Sequence, residues 1–147
     1  MNQIAAMSPD AIAKVQQLED AMRTLDTQIS LHTTHLLHAG LYHRTIVIPA
    51  GVLVAGVLIK IDTTVIVDGD VSVYADGDTI ELSGHNVLAA YAGRKQAAYA
   101  HTDTCYTMSF ATQAQTVEEA EAEFTDEVSN LGSRHTVASN DILITGD

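Results

Sequence analysis

Residues 63–83, TTVIVDGDVSVYADGDTIELS, decide how the chain folds. Valines and isoleucines alternate there with polar residues, the two-residue period of a strand with one face in a core. Asp68-Gly69 and Asp76-Gly77 stand between these β-branched runs, and Asp-Gly in that setting is the pattern of a tight turn. Asp68-Gly69-Asp70 and Asp76-Gly77-Asp78 also resemble fragments of calcium loops. Such a loop needs more oxygens and a distal Glu at fixed spacing, so the flanking valines make these turns.

Working outward, LYHRTIVI at 41–48 runs into a turn at Pro49-Ala50-Gly51, and VLVAGVLIKI at 52–61 follows as the next strand. Further strands are expected around 86–90, 95–101 and 104–112. Roughly eight strands of four to eight residues, with no helix-length pattern between them, predict a sandwich or barrel and exclude a parallel βαβ sheet. TVEE at 116–119 is a capping box that opens an acidic helix near 117–131, with Ala120, Phe124, Val128 and Leu131 on one face. Asn130 and Gly132 end it. The tail closes with a strand, DILIT at 141–145, which either completes its own sheet or adds to a neighbour's.

At the other end, residues 1–31 read as a helical arm. Ser8 can cap it, Pro9 suits its first turn, and Asp10 complements the dipole. Ala11, Val15, Leu18, Met22, Leu25 and Ile29 then recur at alternating spacings of four and three, a narrow heptad seam. A stripe this narrow suits pairing with a copy of itself or docking on a partner; the alternative is that the helix folds back on its own domain.

Composition bounds the rest. The 147 residues make one domain, 46% hydrophobic and 18% charged, which predicts a folded chain with its own core. Aromatics are scarce, with no Trp, and the apolar content is mostly aliphatic. A formal charge of −12 opposes binding to nucleic acid or to an anionic membrane. Cys105, the single cysteine, can form neither an internal disulfide nor a cysteine-based zinc site. The first ten residues lack the basic-then-apolar pattern of a secretory signal, and the apolar run at 45–61 is too interrupted for a membrane helix, so a soluble protein is expected.

Several stretches carry a resemblance. They are GLYHRTIVIPAG at 40–51, Gly56 with Lys60, VDGDVSV at 67–73, AGRKQAAYAHTDTCYT at 92–107 and TVEEAEAEFT at 116–125. Through them the chain, from Gly40 to Phe124, resembles the small single-domain cupin-like proteins of tailed bacteriophages. The resemblance implies a jelly-roll barrel of two packed antiparallel sheets. By fold analogy it also brings to mind the jelly-roll cement and decoration proteins of phage capsids. Metal-binding cupins place two histidines and a glutamate around a first motif and another histidine in a second. At those places this chain has Ile59, Asp62 and Thr63 beside Lys60, then Gln96 after Gly93, with Tyr91-Ala92 where a proline is usual. One carboxylate and no imidazole do not suit Fe, Mn or Zn, so the resemblance implies a barrel without its metal, and no cofactor is expected.

Other constellations are weaker. His32, His35 and His38, with His43 beyond, read as hydrogen-bonding linker residues, with a pH-sensitive contact or a metal at an oligomer axis as alternatives. If the segment is extended, His32 and His38 share a face and His35 points away. Cys105 lies four residues after His101, but no activating acid is evident, so it reads as a buried structural thiol.

The expectation is therefore a mainly-β protein, a single jelly-roll barrel over residues 40–147 with an N-terminal arm and a short acidic helix. Its expected role is structural rather than enzymatic: a capsid cement or decoration protein, on the virion surface after assembly in the host cytoplasm. Its partners would be itself, as homodimer or homotrimer, and the major capsid protein. Val15, Leu18, Met22, Leu25 and Ile29 on the arm, and Ile142, Leu143 and Ile144 in the tail, would make the contacts. The alternative is a non-metal cupin, tail- or fibre-associated, that binds a small molecule or sugar in its barrel. An open cleft lined by Tyr74, Tyr99 and Tyr106 would favour that alternative, and a plugged barrel would favour the structural role.

Overall fold

The computed structural model describes residues 3–25, 29, 31–134 and 139–145. In chain order the elements are β1 (Gln3–Ile4), α1 (Pro9–Arg23), β2 (His32–His38), β3 (Leu41–Ile48), β4 (Leu53–Ala55), β5 (Thr63–Asp68), β6 (Val71–Ala75), β7 (Asp78–Leu82), β8 (His85–Ala90), β9 (Ala97–Ala100), β10 (Thr104–Ala111), α2 (Val117–Phe124) and β11 (Ser139–Ile144). Seven strands form the larger sheet, in the order β1-β8-β5-β10-β3-β2-β11, and four form the smaller, β4-β9-β6-β7. All pairings are antiparallel except the two at the ends of the larger sheet, β1 with β8 and β11 with β2.

The alternation at 63–75 works as expected. Val65 and Val67 of β5 and Val71 and Val73 of β6 are buried between the sheets, with Leu88, Ala98, Ala100 and Phe110. Asp76 and Gly77 both have positive φ (48° and 90°) and form the two-residue turn that closes the β6–β7 hairpin. Asp68-Gly69 differs, because β5 and β6 belong to different sheets and the chain crosses between them there. A Cβ on Gly69 would lie 2.9 Å from Thr104 Cα, so close approach of two backbones requires glycine at this crossover. The strand expected over 52–61 is confined to Leu53–Ala55. Beyond it the chain leaves the sheet, with Gly56 N–H bonded to Gln96 O and Ile59 bridging Arg94.

Ser8 caps α1 through Ala11 N–H, as the sequence suggests, but the helix ends at Arg23 and is no free arm. It lies on the outer face of the smaller sheet, where Ala11 and Val15 pack with Met7 and Ala97. Ser8 N–H also donates to Asp76 Oδ1 at 2.8 Å, pinning the start of the helix to the β6–β7 turn. Lys95 fastens its other end from below: the ammonium is fully buried and reaches Glu19 of α1 at 3.4 Å and Glu127 at 2.9 Å. A narrow apolar stripe suffices because an ion pair completes the contact.

The histidine-rich segment is strand β2, not a linker, so the β-structure starts at His32 rather than near residue 40. Thr33, His35 and Leu37 face inward. His35 Nε2–H donates to Asn140 Oδ1, and Tyr42 O–H donates to His35 Nδ1, both at 2.7 Å. Burial pulls the His35 pKa below its ordinary value, opposed by its bond to Asn140. The tail strand β11 pairs with β2 of its own chain, from Ser139 beside His32 to Ile144 beside Leu37.

α2 begins at the expected box, with Glu119 N–H donating to Thr116 Oγ1, but stops at Phe124 instead of running to 131. Thr125 is extended, its hydroxyl accepts from Glu127 N–H, and Phe124 O takes Lys60 N–H. The break turns Glu127 toward Lys95, and 3₁₀ turns at Val128–Asn130 and Gly132–Arg134 follow.

Lys95→Met leaves two carboxylates facing a buried void of charge, and the loss expected is about 3–5 kcal/mol by urea unfolding. For His35 the folded pKa is depressed, so the unfolded chain binds more protons once pH falls below about 6.5. Stability is therefore complete above that pH and declines as pH falls toward the folded pKa. Denaturation midpoints between pH 7.5 and 5.5 should show this slope, and His35→Gln should flatten it.

Candidate functional site

The inside of the barrel is where the cupin motifs would converge, and a cation already occupies it. Arg94 is 1% exposed. Its Nη2 donates to Thr63 Oγ1 at 2.7 Å, and its Nη1 to Tyr91 O at 3.0 Å and Ile61 O at 3.4 Å. Met108 Sδ lies 3.8 Å from Nη2. Burial lowers the Arg94 pKa, with Tyr106 and Asp62 acting in the opposite sense. Gln96 Oε1 accepts from Tyr106 O–H at 2.9 Å, and burial pushes that phenol up to about 12, so it stays a donor. Asp62 is exposed, and its Oδ1 accepts from Ala92 N–H at 2.8 Å.

These residues do not fit a metal. Thr63 and Gln96 already accept hydrogen bonds, Ile59 has no donor atom, and a guanidinium sits against Thr63. Among the described residues no group of three or more His, Cys, Asp or Glu side chains gathers to hold an ion.

A second place lies outside the barrel. Between α1 and the outer face of the smaller sheet runs a groove of about 320 Å³. Lys14, Val15 and Leu18 line it from the helix, and Leu53, Ser72, Tyr74, Thr79, Ala97 and Tyr99 from the sheet. Strand alternation explains the set: Tyr74 and Ala97 are register partners, as are Ser72 and Tyr99, on the face opposite Val73 and Ala98. At the rim Ser72 O–H donates to Glu81, at 2.6 Å to Oε2, and His101 Nε2–H donates to Ser72 Oγ at 2.6 Å. Tyr99 meets the His101 ring edge-on at 5.2 Å and remains 41% exposed.

Hydroxyl, imidazole and carboxylate together invite comparison with a nucleophile triad. In such a triad the acid orients the imidazole through its far nitrogen. Here Glu81 meets the serine directly and lies 3.6 Å from the same His101 Nε2, so no relay is formed. The arrangement is suited to binding: acceptors, a donor and an aromatic face beside an open groove.

The predicted residues are dispersed. Val15 is buried against its own sheet, Leu18 and Met22 are half-buried, and Leu25 and Ile29 are exposed beyond the helix. Ile142, Leu143 and Ile144 are all about half exposed on β11. Of the three tyrosines expected to share a cleft, Tyr74 and Tyr99 line the outer groove while Tyr106 is inside the barrel. Cys105 is exposed, not buried, because Thr104, Met108 and Phe110 take the inward positions of β10. Sequence reasoning did not join Ser72, Glu81 and His101, having weighed His101 only beside Cys105; Ser72 and Glu81 are register partners on β6 and β7 and His101 directly follows β9, which needs the register to be known.

No family model matches the chain, and no curated protein matches it. Solved structures do. The salicylate 1,2-dioxygenase of Pseudoaminobacter salicylatoxidans, in its gentisate adduct, superposes with a TM-score of 0.52 at 15% identity, over 84% of this chain and 38% of that one. A cupin superfamily protein of Desulfitobacterium hafniense gives a TM-score of 0.49 at 16% identity, over 63% of this chain and 87% of that one. The chain thus spans less than two fifths of the dioxygenase's length. The expectation of no enzymatic role is overturned, since an enzyme is built on this architecture. At this identity the likeness carries the fold and not the reaction. That fold is a mainly-β, cupin-like jelly-roll barrel of two packed sheets.

Proposed function

We propose that this cupin-like protein is a binding protein whose ligand is a neutral saccharide or a comparable polyhydroxylated molecule, seated in the outer groove. The observation that carries the reading is the Ser72–Glu81–His101 cluster beside the exposed ring of Tyr99. Sugar C–H faces stack on tyrosine, and sugar hydroxyls both donate to a carboxylate and accept from imidazole or ammonium. Lys14 supplies an ammonium at the helix side. The formal charge of −12 disfavours anionic ligands approaching the same face.

With no Trp in the chain, emission comes from five tyrosines, of which Tyr74 and Tyr99 line the groove. Titration with a panel of neutral oligosaccharides should find a binder, and Tyr99→Ala and Glu81→Gln should each weaken it about tenfold or more without lowering the melting temperature. A panel without a binder, or unchanged affinity in both variants, rejects the reading.

A second reading, a virion decoration protein that contacts copies of itself and the major capsid protein, is favoured by the barrel interior, where Arg94 and the Tyr106–Gln96 pair leave no shared tyrosine cleft for a sugar, and by β11. Ile142, Leu143 and Ile144 sit about half exposed at the edge of the larger sheet, a surface soluble monomers normally protect. Ile142→Lys with Ile144→Lys should then abolish oligomers in sedimentation experiments and abolish binding to capsids. If the double variant sediments and decorates as the parent does, the edge is not an interface.

A further inference from the structure

Arg94 and Lys95 are consecutive, both buried, and treated differently by the fold. Lys95 points outward beneath α1 and has two carboxylates, Glu19 and Glu127. Arg94 points into the barrel and has none within hydrogen-bonding distance among the described residues. Its partners are carbonyls, the Thr63 hydroxyl and a thioether. Asp62 is the nearby carboxylate, but it makes no hydrogen bond to Arg94 and its charge does not outweigh the burial; burying a cation without a contacting acid costs several kcal/mol even after relaxation. Arg94 Nε–H, moreover, has no acceptor among the described residues, and neither has Gln96 Nε2, also buried. Two residues apart on an extended segment, with Lys95 facing out between them, Arg94 and Gln96 project to the same inner side.

A buried positive charge and two unspent N–H donors on one side call for an acceptor that carries negative charge. We infer that the barrel interior binds one small monovalent anion, of the size of chloride, nitrate or formate, between Arg94 Nε and the Gln96 amide. The Tyr106–Gln96 bond fixes the amide so that its nitrogen, not its oxygen, faces the anion. Thr63 and Met108 already lie against the guanidinium and Tyr106 against the Gln96 amide, which limits the ligand to a few atoms. A divalent anion is disfavoured because a single guanidinium cannot repay its dehydration. The site is separate from the outer groove, so either can fail alone.

The test is unfolding of the full chain at constant ionic strength, with sodium sulfate progressively replaced by chloride, nitrate or formate. Binding to the folded state alone raises stability with the logarithm of anion concentration above its dissociation constant, so the melting temperature should climb by a few degrees between about 1 and 100 mM. Gln96→Leu, which removes one donor and no charge, should raise the concentration needed about tenfold. Arg94→Met should abolish the dependence; should it fail to fold, Gln96→Leu decides. Line broadening of ³⁵Cl by the parent protein, reduced in Gln96→Leu, gives a readout independent of stability. Equal melting temperatures in all salts with no broadening overturn the inference, as does a salt response identical in parent and Gln96→Leu.

Discussion

Two adjacent side chains, Arg94 facing in and Lys95 facing out, hold the layers of this molecule together. One guanidinium gathers the backbone of Ile61 and Tyr91 and the hydroxyl of Thr63, closing the barrel from within. One residue further on, an ammonium collects Glu19 from the N-terminal helix and Glu127 from the segment after α2. The position of α1 and the break after Phe124 depend on these contacts, and the outer groove is bounded by the helix so placed. A larger apolar interface could have fixed the helix instead, but charges fix direction as well as proximity, and Glu19 and Glu127 must each reach one point. The chain accepts a cost in desolvation and gains a single arrangement of its layers.

Legibility in the sequence followed the physics of each segment. Alternation at 63–75 was readable because a half-buried strand has a local signature, and the Ser8 and Thr116 caps because capping is decided within four residues. The His-rich segment was harder. Its inward side is Thr33, His35 and Leu37, and a buried histidine betrays itself only through distant partners, here Tyr42 and Asn140. The arm misled for a related reason: a heptad stripe is the same whether it faces a copy or its own sheet, and the deciding contact is with Ala97, far along the chain. Ser72, Glu81 and His101 converge only through strand register, which no local pattern encodes.

The candidate groove and the barrel interior lie on opposite faces of the smaller sheet. In this chain Arg94 and the tyrosine–glutamine pair line the interior, and the open groove lies on the other side of the smaller sheet. The same four strands serve both, since odd and even positions face opposite ways: Val73 and Ala98 inward, Tyr74 and Ala97 outward. Any evolutionary change to the groove is thereby insulated from the core by a full sheet thickness, and the fold tolerates new outer surface without repacking.

The two parallel pairings have a consequence for how the molecule can be joined to others. β1 and β11 are the outermost strands of the seven-stranded sheet, six strand spacings of about 4.8 Å apart, or about 29 Å measured along the sheet. A linker meant to connect these edges, as in a circular permutant, must bridge that arc with about nine or more extended residues. Cargo attached beside each strand would instead leave from opposite edges of the larger sheet.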